Sequence, residues 1–358
     1  MQGQIKQLDF SGQNIYAGID VHKSSWQVPI MSEDLYHKTF NQPQDPEVLH
    51  SYLCKNFPKG NYFSVYEAGF CGFWIHEKLQ SLGIKNIVVN PADVPSTDKE
   101  KKQKTDKVDS NKLAKQLRRG NLDGIYIHKR SLLEDRNLIR VRHTLVKDLT
   151  RYKNRVKSEL YFFGIEVPEQ YNRDASYWSN PFLNWLAQVE FQQSSGNDSF
   201  RILINQVIVL RSQLLEVNRK VRAMALTDFY RQKVPLLRTI PGIGITTAMI
   251  ILTELEDINR FKTPEKLRSY VGLTPTSRSS GEKQVHGDMI NRGNSFIKST
   301  IIESSWIAAR LDPVLHKDFI NYFKRMNKNK ATVRIACKLL NRIYFVLKNE
   351  LPYSNGIN

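Results

Sequence analysis

No run of eighteen apolar residues occurs in the 358-residue chain, which excludes a membrane-spanning helix. Cysteine is scarce. Cys54, Cys71 and Cys337 lie far apart with no metal-ligand spacing, so they read as reduced, buried thiols of a cytoplasmic protein. The start, Met1 to Gly12, is polar and shows no signal-peptide core. Acidic residues are in short supply: 35 Asp and Glu stand against 53 Lys and Arg, leaving a formal charge of +18. That excess points to a polyanionic partner, with nucleic acid the default for a soluble protein. Ribosomal and chromatin-packing proteins share such charge, but they seldom need an apolar fraction of 41% or five tryptophans. The length implies two or three domains.

The chain is organised around Lys104 to Lys115, K-T-D-K-V-D-S-N-K-L-A-K. The pattern is helical, with Val108 and Leu113 apolar and Thr105 placed to cap. Asp106 and Asp109 stand three apart, so on a helix their carboxylates share a face. Like charges that close raise each other's pKa unless a cation intervenes. Lys101, Lys102, Lys104, Lys107 and Lys112 surround them in sequence. An isolated D-x-x-D is ordinarily a solvated surface helix, and the rest of the chain changes that reading.

Asn14 to Asp20 reads as a buried strand ending on an acid. Ser25 to Ile30 and Leu35 to Phe40 are further strand candidates, and Pro29 argues for an edge or a strand end. Asp45-Pro46 opens a helix running to about Phe57. Tyr62 to Tyr66 is a strand ending on Glu67. A helix from Phe73 to Leu82 and a short strand at Ile87 to Val89 follow. Strand, strand, strand, helix, strand, helix, strand, helix is the RNase H-like order. It puts Asp20 and Glu67 at strand ends and Asp106 and Asp109 on the last helix, where four acids can converge on a metal.

From Leu132 apolar residues recur at spacings of three and four to Leu160, and again from Leu203 to Val221, with Gln192 to Asp198 reading as a loop. Two long helices at this period form either an antiparallel pair or an intermolecular coiled coil, or simply pack on their own domain. Leu237 to Leu255 reads as helix end, tight turn, helix, with glycines at Gly242 and Gly244 and a cap at Thr246 or Thr247. Such hairpins bind nucleic-acid backbone through helix N-terminal amides, although glycine turns also join helices with no ligand. Tyr270 to Lys283 has the Ser, Thr and Gly content of an exposed loop, and Arg278, Lys283 and, further on, Arg292 bracket Ser279 and Ser280 with positive charge. The tail from Lys317 to Lys348 is basic and helical, with Ile335, Leu339 and Phe345 on an apolar side.

Y-A-G-I-D-V-H-K, then Y-E-A-G with K-T-D-K-V-D, then P-G-I-G-I-T-T-A followed by Y-V-G-L-T-P, S-S-G-E-K and I-N-R-G-N together resemble the DEDD-type insertion-sequence transposases, relatives of the Piv-type DNA invertases. The resemblance runs from about Ile15 to Leu351. It implies an α/β plus α architecture. A RuvC-like (RNase H-fold) catalytic domain spans 12–130 and a long-helix or coiled-coil connection 131–230. A mostly helical transposase domain with a helix-hairpin-helix-like element spans 231–352. The metal acids map by motif onto Asp20, Glu67, Asp106 and Asp109, and the catalytic serine, the one before glycine in the loop after G-L-T-P, onto Ser280. Some members are guided by a structured bridge RNA pairing with donor and target DNA. One departure is visible: Asn291 stands where the family often has a basic residue.

Four carboxylates suit Mg²⁺, with Mn²⁺ possible, rather than zinc. Serine is a weak nucleophile and needs activation. The expected function is therefore a transposase that cuts and rejoins DNA with Ser280, acting as a homodimer or homotetramer at the nucleoid. Gly242, Gly244, Arg278, Lys283 and Arg292 are the candidate backbone contacts. The alternatives are a DNA invertase, a RuvC-like junction resolvase using water, and a non-catalytic binder.

Overall fold

The computed structural model describes residues 9–95, 106–172, 177–280, 283–289 and 292–354, with the backbone alone described at 106–108, 275–280 and 283–289. Contacts divide the chain into two units, Met1–Ile127 and His128–Asn358.

In the first unit β1 (Asn14–Val21), β2 (Trp26–Met31) and β3 (Tyr36–Gln42) form an antiparallel meander. Helix α1 (Pro46–Asn56) leads to β4 (Asn61–Glu67), and α2 (Trp74–Ser81) leads to β5 (Lys85–Val89). β4 lies parallel to both β1 and β5, giving a five-stranded mixed sheet in the order β3-β2-β1-β4-β5. Helix α3 (Asp106–Arg118) follows. This is the element order of an RNase H-like sheet. Asp45 caps α1 through the Glu47 amide at 2.8 Å, with Pro46 in the first turn.

Pro29 is neither at an edge nor at a strand end. β2 sits between β1 and β3, and Pro29 pairs with Thr39. The missing N–H is tolerated because the β1–β2 ladder passes from Ala17–Ile30 to Asp20–Gln27, with a gap opposite the proline.

The two faces of the sheet bury separate cores. Ile15, Ala17 and Ile19 pack with Leu49, Leu53, Ile75 and Leu79 from α1 and α2. On the other face Val65 and Val89 pack with Leu113 of α3. Each such fully buried aliphatic side chain stabilises by roughly 1.5–3 kcal/mol.

In the second unit α4 (Arg130–Phe162) and α6 (Ser194–Met224) run antiparallel within one chain, since Glu159 meets Ser199 while Arg142 meets Asn218. Leu149, Val156 and Leu160 interlock with Phe200, Ile204 and Val207, closed by Phe182 and Leu186 of α5 (Asn180–Ala187). The supposed loop at Gln192 to Asp198 is largely helix, because α6 begins at Ser194. Its small polar residues occupy the first turn, where amides lack intrahelical partners. The Asn197 side chain turns back instead and accepts from the Phe191 amide at 2.8 Å.

Leu132, Ile139 and Val221 from the long helices enter the same core as the C-terminal helices. Those are α7 (Lys233–Arg238), α8 (Ile245–Leu255), α9 (Pro264–Val271), α10 (Ser295–Leu311), α11 (Pro313–Phe323) and α12 (Lys328–Asn349). Neither Thr246 nor Thr247 caps α8: Gly244 occupies the cap position and no side chain bonds there. On α12 Ile335 and Leu339 are buried, whereas Phe345 is 57% exposed. Six residues at 100° each carry Phe345 well off that face, and Ile343 and Val346 continue the stripe instead.

The Ser-rich segment is a β-hairpin rather than a loop. β6 (Pro275–Ser280) pairs antiparallel with β7 (Lys283–Met289), and Ser280 is the register partner of Lys283. Two intervening residues, with glycine first, are a hairpin signal that the Ser and Gly content obscures.

Candidate active site

β1 and β4 run parallel with Ile19 opposite Tyr66, so the next register step sets Asp20 beside Glu67. Residues level with each other in parallel strands present side chains to the same face. Gly18, two before Asp20, identifies that face. A Cβ on Gly18 would lie 2.4 Å from the Ser110 carbonyl oxygen and 2.6 Å from the Ala114 amide nitrogen, both on α3. Glycine therefore lets α3 cross the sheet in backbone contact at the level of the acids. Asp109 immediately precedes Ser110. Asp20, Glu67 and Asp109 consequently line one cleft of about 300 Å³, together with Leu113, His22 and the turn Ala68 to Cys71.

Two of the acids have basic side chains beside them. His22 Nε2 lies 3.1 Å from Asp20 Oδ2, and Lys112 Nζ lies 3.8 Å from Asp109 Oδ1. The floor is held from behind, where the Tyr66 hydroxyl donates to the Gly72 carbonyl at 2.9 Å and the Ala68 amide to Val89 at 2.8 Å. Burial pushes the Tyr66 phenol and the Cys71 thiol up, so both stay neutral. Cys71 thus contributes no thiolate, and the hard-oxygen character of the donors fits Mg²⁺ or Mn²⁺. Among the described residues no three His, Cys, Asp or Glu are drawn together closely enough to hold a metal ion. Asp106 opens α3 one turn before Asp109, but its side chain lies outside the described residues. So does the side chain of Lys107, and so do Lys101, Lys102, Lys104 and the proposed cap Thr105 altogether.

Ser280 ends β6 in the second unit. The backbones of Arg278 and Lys283 are described and their side chains are not, while Gly281 and Asn291 fall outside the described residues. Arg292 is exposed. Gly242 has φ +87°, and a Cβ there would come within 2.6 Å of the Ser304 carbonyl oxygen of α10. Packing alone accounts for that glycine. Gly244 is exposed with nothing within 4 Å of an added Cβ.

Sequence reasoning missed Gly18, whose signal was a glycine inside an apolar strand pattern. It also missed Asn294, which caps α10 by accepting from the Phe296 and Ile297 amides at 3.2 and 3.3 Å. An Asn ahead of a helical run was its signal.

Comparison with known proteins places these features in one lineage. A DEDD transposase model of the IS110 type matches residues 17–163, and a model described as the transposase IS116/IS110/IS902 family matches residues 234–319. The transposase for insertion sequence element IS1533 of Leptospira borgpetersenii is 28% identical over 257 residues, covering 68% of this chain and 70% of that protein. A transposase candidate of Sinorhizobium fredii, y4rJ, is 27% identical over 306 residues, 78% of this chain and 76% of its own. The pilin gene-inverting protein of Moraxella bovis is 27% identical over 135 residues, 37% of this chain and 42% of that protein. The two models take in the acid cleft and the helices from α8 to α10, and the chain belongs to the IS110-type transposase family, whose members cleave and rejoin DNA.

Proposed function

We propose that this chain is the metal-dependent transposase of an insertion sequence, with Asp20, Glu67, Asp106 and Asp109 as the metal acids and Ser280 as the nucleophile. A structured bridge RNA guides it to donor and target DNA. The observation that carries this reading is the convergence of Asp20, Glu67 and Asp109 on one cleft from three separate elements. These acids would hold a divalent ion, which would supply charge neutralisation at phosphorus and favour ionisation of the attacking hydroxyl. His22 and Lys112 orient the Asp20 and Asp109 carboxylates. The Ser280 oxygen forms a bond to phosphorus and gives up its proton. The bond from phosphorus to the leaving deoxyribose oxygen breaks, and that oxygen is protonated. Rejoining is the reverse step with a different sugar hydroxyl. The amides at Gly244, and Arg278, Lys283 and Arg292, are the backbone contacts in this reading. The three-part division at about 130 and 230 and a homodimer or homotetramer belong to it as well.

A DNA invertase is the second reading, favoured by the similarity to the Moraxella bovis inverting protein. The test combines the purified chain, Mg²⁺, DNA carrying the element's junctions, and RNA transcribed from the adjoining non-coding segment. Joined donor–target product that depends on the RNA supports the proposal. Inversion between paired sites without RNA favours the second reading.

A further inference from the structure

The chain passes Gly272 and the buried Leu273 on its way out to the β6–β7 hairpin and comes back past Gly293, and the two glycines touch. A Cβ on Gly293 would lie 2.6 Å from the Gly272 Cα, and one on Gly272 would lie 2.7 Å from the Arg292 carbonyl oxygen. Both glycines have positive φ, +80° and +137°, so neither position accepts a side chain without strain. A buried acid stands beside this crossing. Glu254, on α8, has no exposed surface. It takes the Arg140 guanidinium at 2.8 and 3.1 Å, Arg136 Nε at 3.1 Å and the Asn294 side-chain amide at 2.6 Å. Burial alone would raise its pKa, but Arg140, Arg136 and Asn294 more than offset this and hold the carboxyl below its usual range.

The network closes on both legs of the hairpin. The Asn294 amide donates to the Tyr270 carbonyl at 2.9 Å on the return side, and the Tyr270 hydroxyl donates to the Glu254 carbonyl at 3.2 Å on the departing side. Arg136 and Arg140 lie on the first turns of the long helix α4.

We propose that Glu254 and Asn294 are positioning residues for Ser280, clamping the root of its hairpin and tying that root to α4. This rests on the reading of Ser280 as the nucleophile. Leverage is the physical reason. The six strand residues from Pro275 to Ser280 make five steps, about 17 Å at ~3.3 Å per residue, so a tilt of about 10° at the root moves the serine by about 3 Å. A misplacement of about 1 Å already costs about a hundredfold in rate. A buried carboxylate with two arginines adds little stability over an apolar cluster. Its directional contacts set the orientation of Asn294 at the root.

Asn294→Ser separates the roles, because serine still caps α10 but is too short to reach Glu254. In the full chain, hydrogen exchange should accelerate at residues 275–289 while the melting temperature and nucleic-acid binding stay near wild type. Covalent Ser280–DNA adduct should fall by about tenfold to a hundredfold. Asn294→Asp, with a carboxylate facing Glu254, should show the same pattern more strongly. Unchanged hairpin exchange in both variants overturns the clamp. Loss of adduct accompanied by faster exchange throughout the second unit also overturns it, since the role is then general stability. If wild type forms no adduct, the nucleophile reading fails, and the exchange result still decides the clamp.

Discussion

Gly18 of β1 and Ser110 of α3 meet backbone to backbone: a single added Cβ would stand 2.4 Å from the Ser110 carbonyl oxygen. That contact brings Asp109 down onto the Asp20 and Glu67 end of the sheet. The atoms that would clash are main-chain, so no rotamer change relieves them. Gly18→Ala should therefore destabilise the first unit by roughly 1–3 kcal/mol or more, as overpacking does. Thermal melting checks this, and a melt indistinguishable from wild type would show that α3 is free to move aside.

Asp109→Asn should leave nucleic-acid binding near wild type and remove strand cleavage, because the amide keeps the shape and loses the charge a divalent cation needs. Cleavage assayed in Mg²⁺ at wild-type rate would take Asp109 out of the reaction.

Affinity for nucleic acid should fall steeply with salt. A chain of charge +18 that neutralises several phosphates releases their counterions, and the logarithm of affinity then falls linearly with that of salt. Binding isotherms between about 50 and 200 mM salt measure the slope. A flat dependence would mean that phosphate contacts contribute little.

Asp312 predicts a pH effect whose sign is fixed. Its side chain caps α11 through Val314 and Leu315, pairs with Arg342, and accepts from the Tyr353 hydroxyl at 2.7 Å. Burial raises its pKa, but the Leu315, Tyr353 and Arg342 interactions outweigh that and bring it below 3.8. A depressed folded-state pKa gives stability that is full above the unfolded value and is lost as pH falls through the folded one. Asp312→Asn keeps a cap but loses the charge, costing about 2 kcal/mol near neutral pH. Urea unfolding should show the gap between variant and wild type closing below about pH 4. A gap that stays constant into acid would mean that the Asp312 charge does not matter.

The gathering of Asp20, Glu67 and Asp109 at one cleft was legible because strand ends and a D-x-x-D helix are local patterns, whereas the β1–β4 register that sets Asp20 level with Glu67 is a long-range pairing. Pro29 misled, since one missing N–H reads as an edge although a gap in the ladder absorbs it. The Ser280 hairpin was hidden by composition, as Ser and Gly signal loop and tight turn alike. Glu254 was invisible. It is an acid in an apolar helix, and its meaning lies in Arg136, Arg140 and Asn294, which are distant in sequence. Phe345 is apolar by type, but its angle around α12 turns it outward.

The proposed reaction uses the acids of the first unit and Ser280 of the second in one phosphoryl transfer. Its most direct test is to trap the chain on junction DNA in Mg²⁺ under denaturing conditions and map the modified residue by mass spectrometry. The account predicts a DNA adduct on Ser280 that is absent in Ser280→Ala and in Asp20→Asn and persists in Ser279→Ala. Recombined product from Ser280→Ala would contradict it, leaving water activated at Asp20, Glu67, Asp106 and Asp109 as the nucleophile.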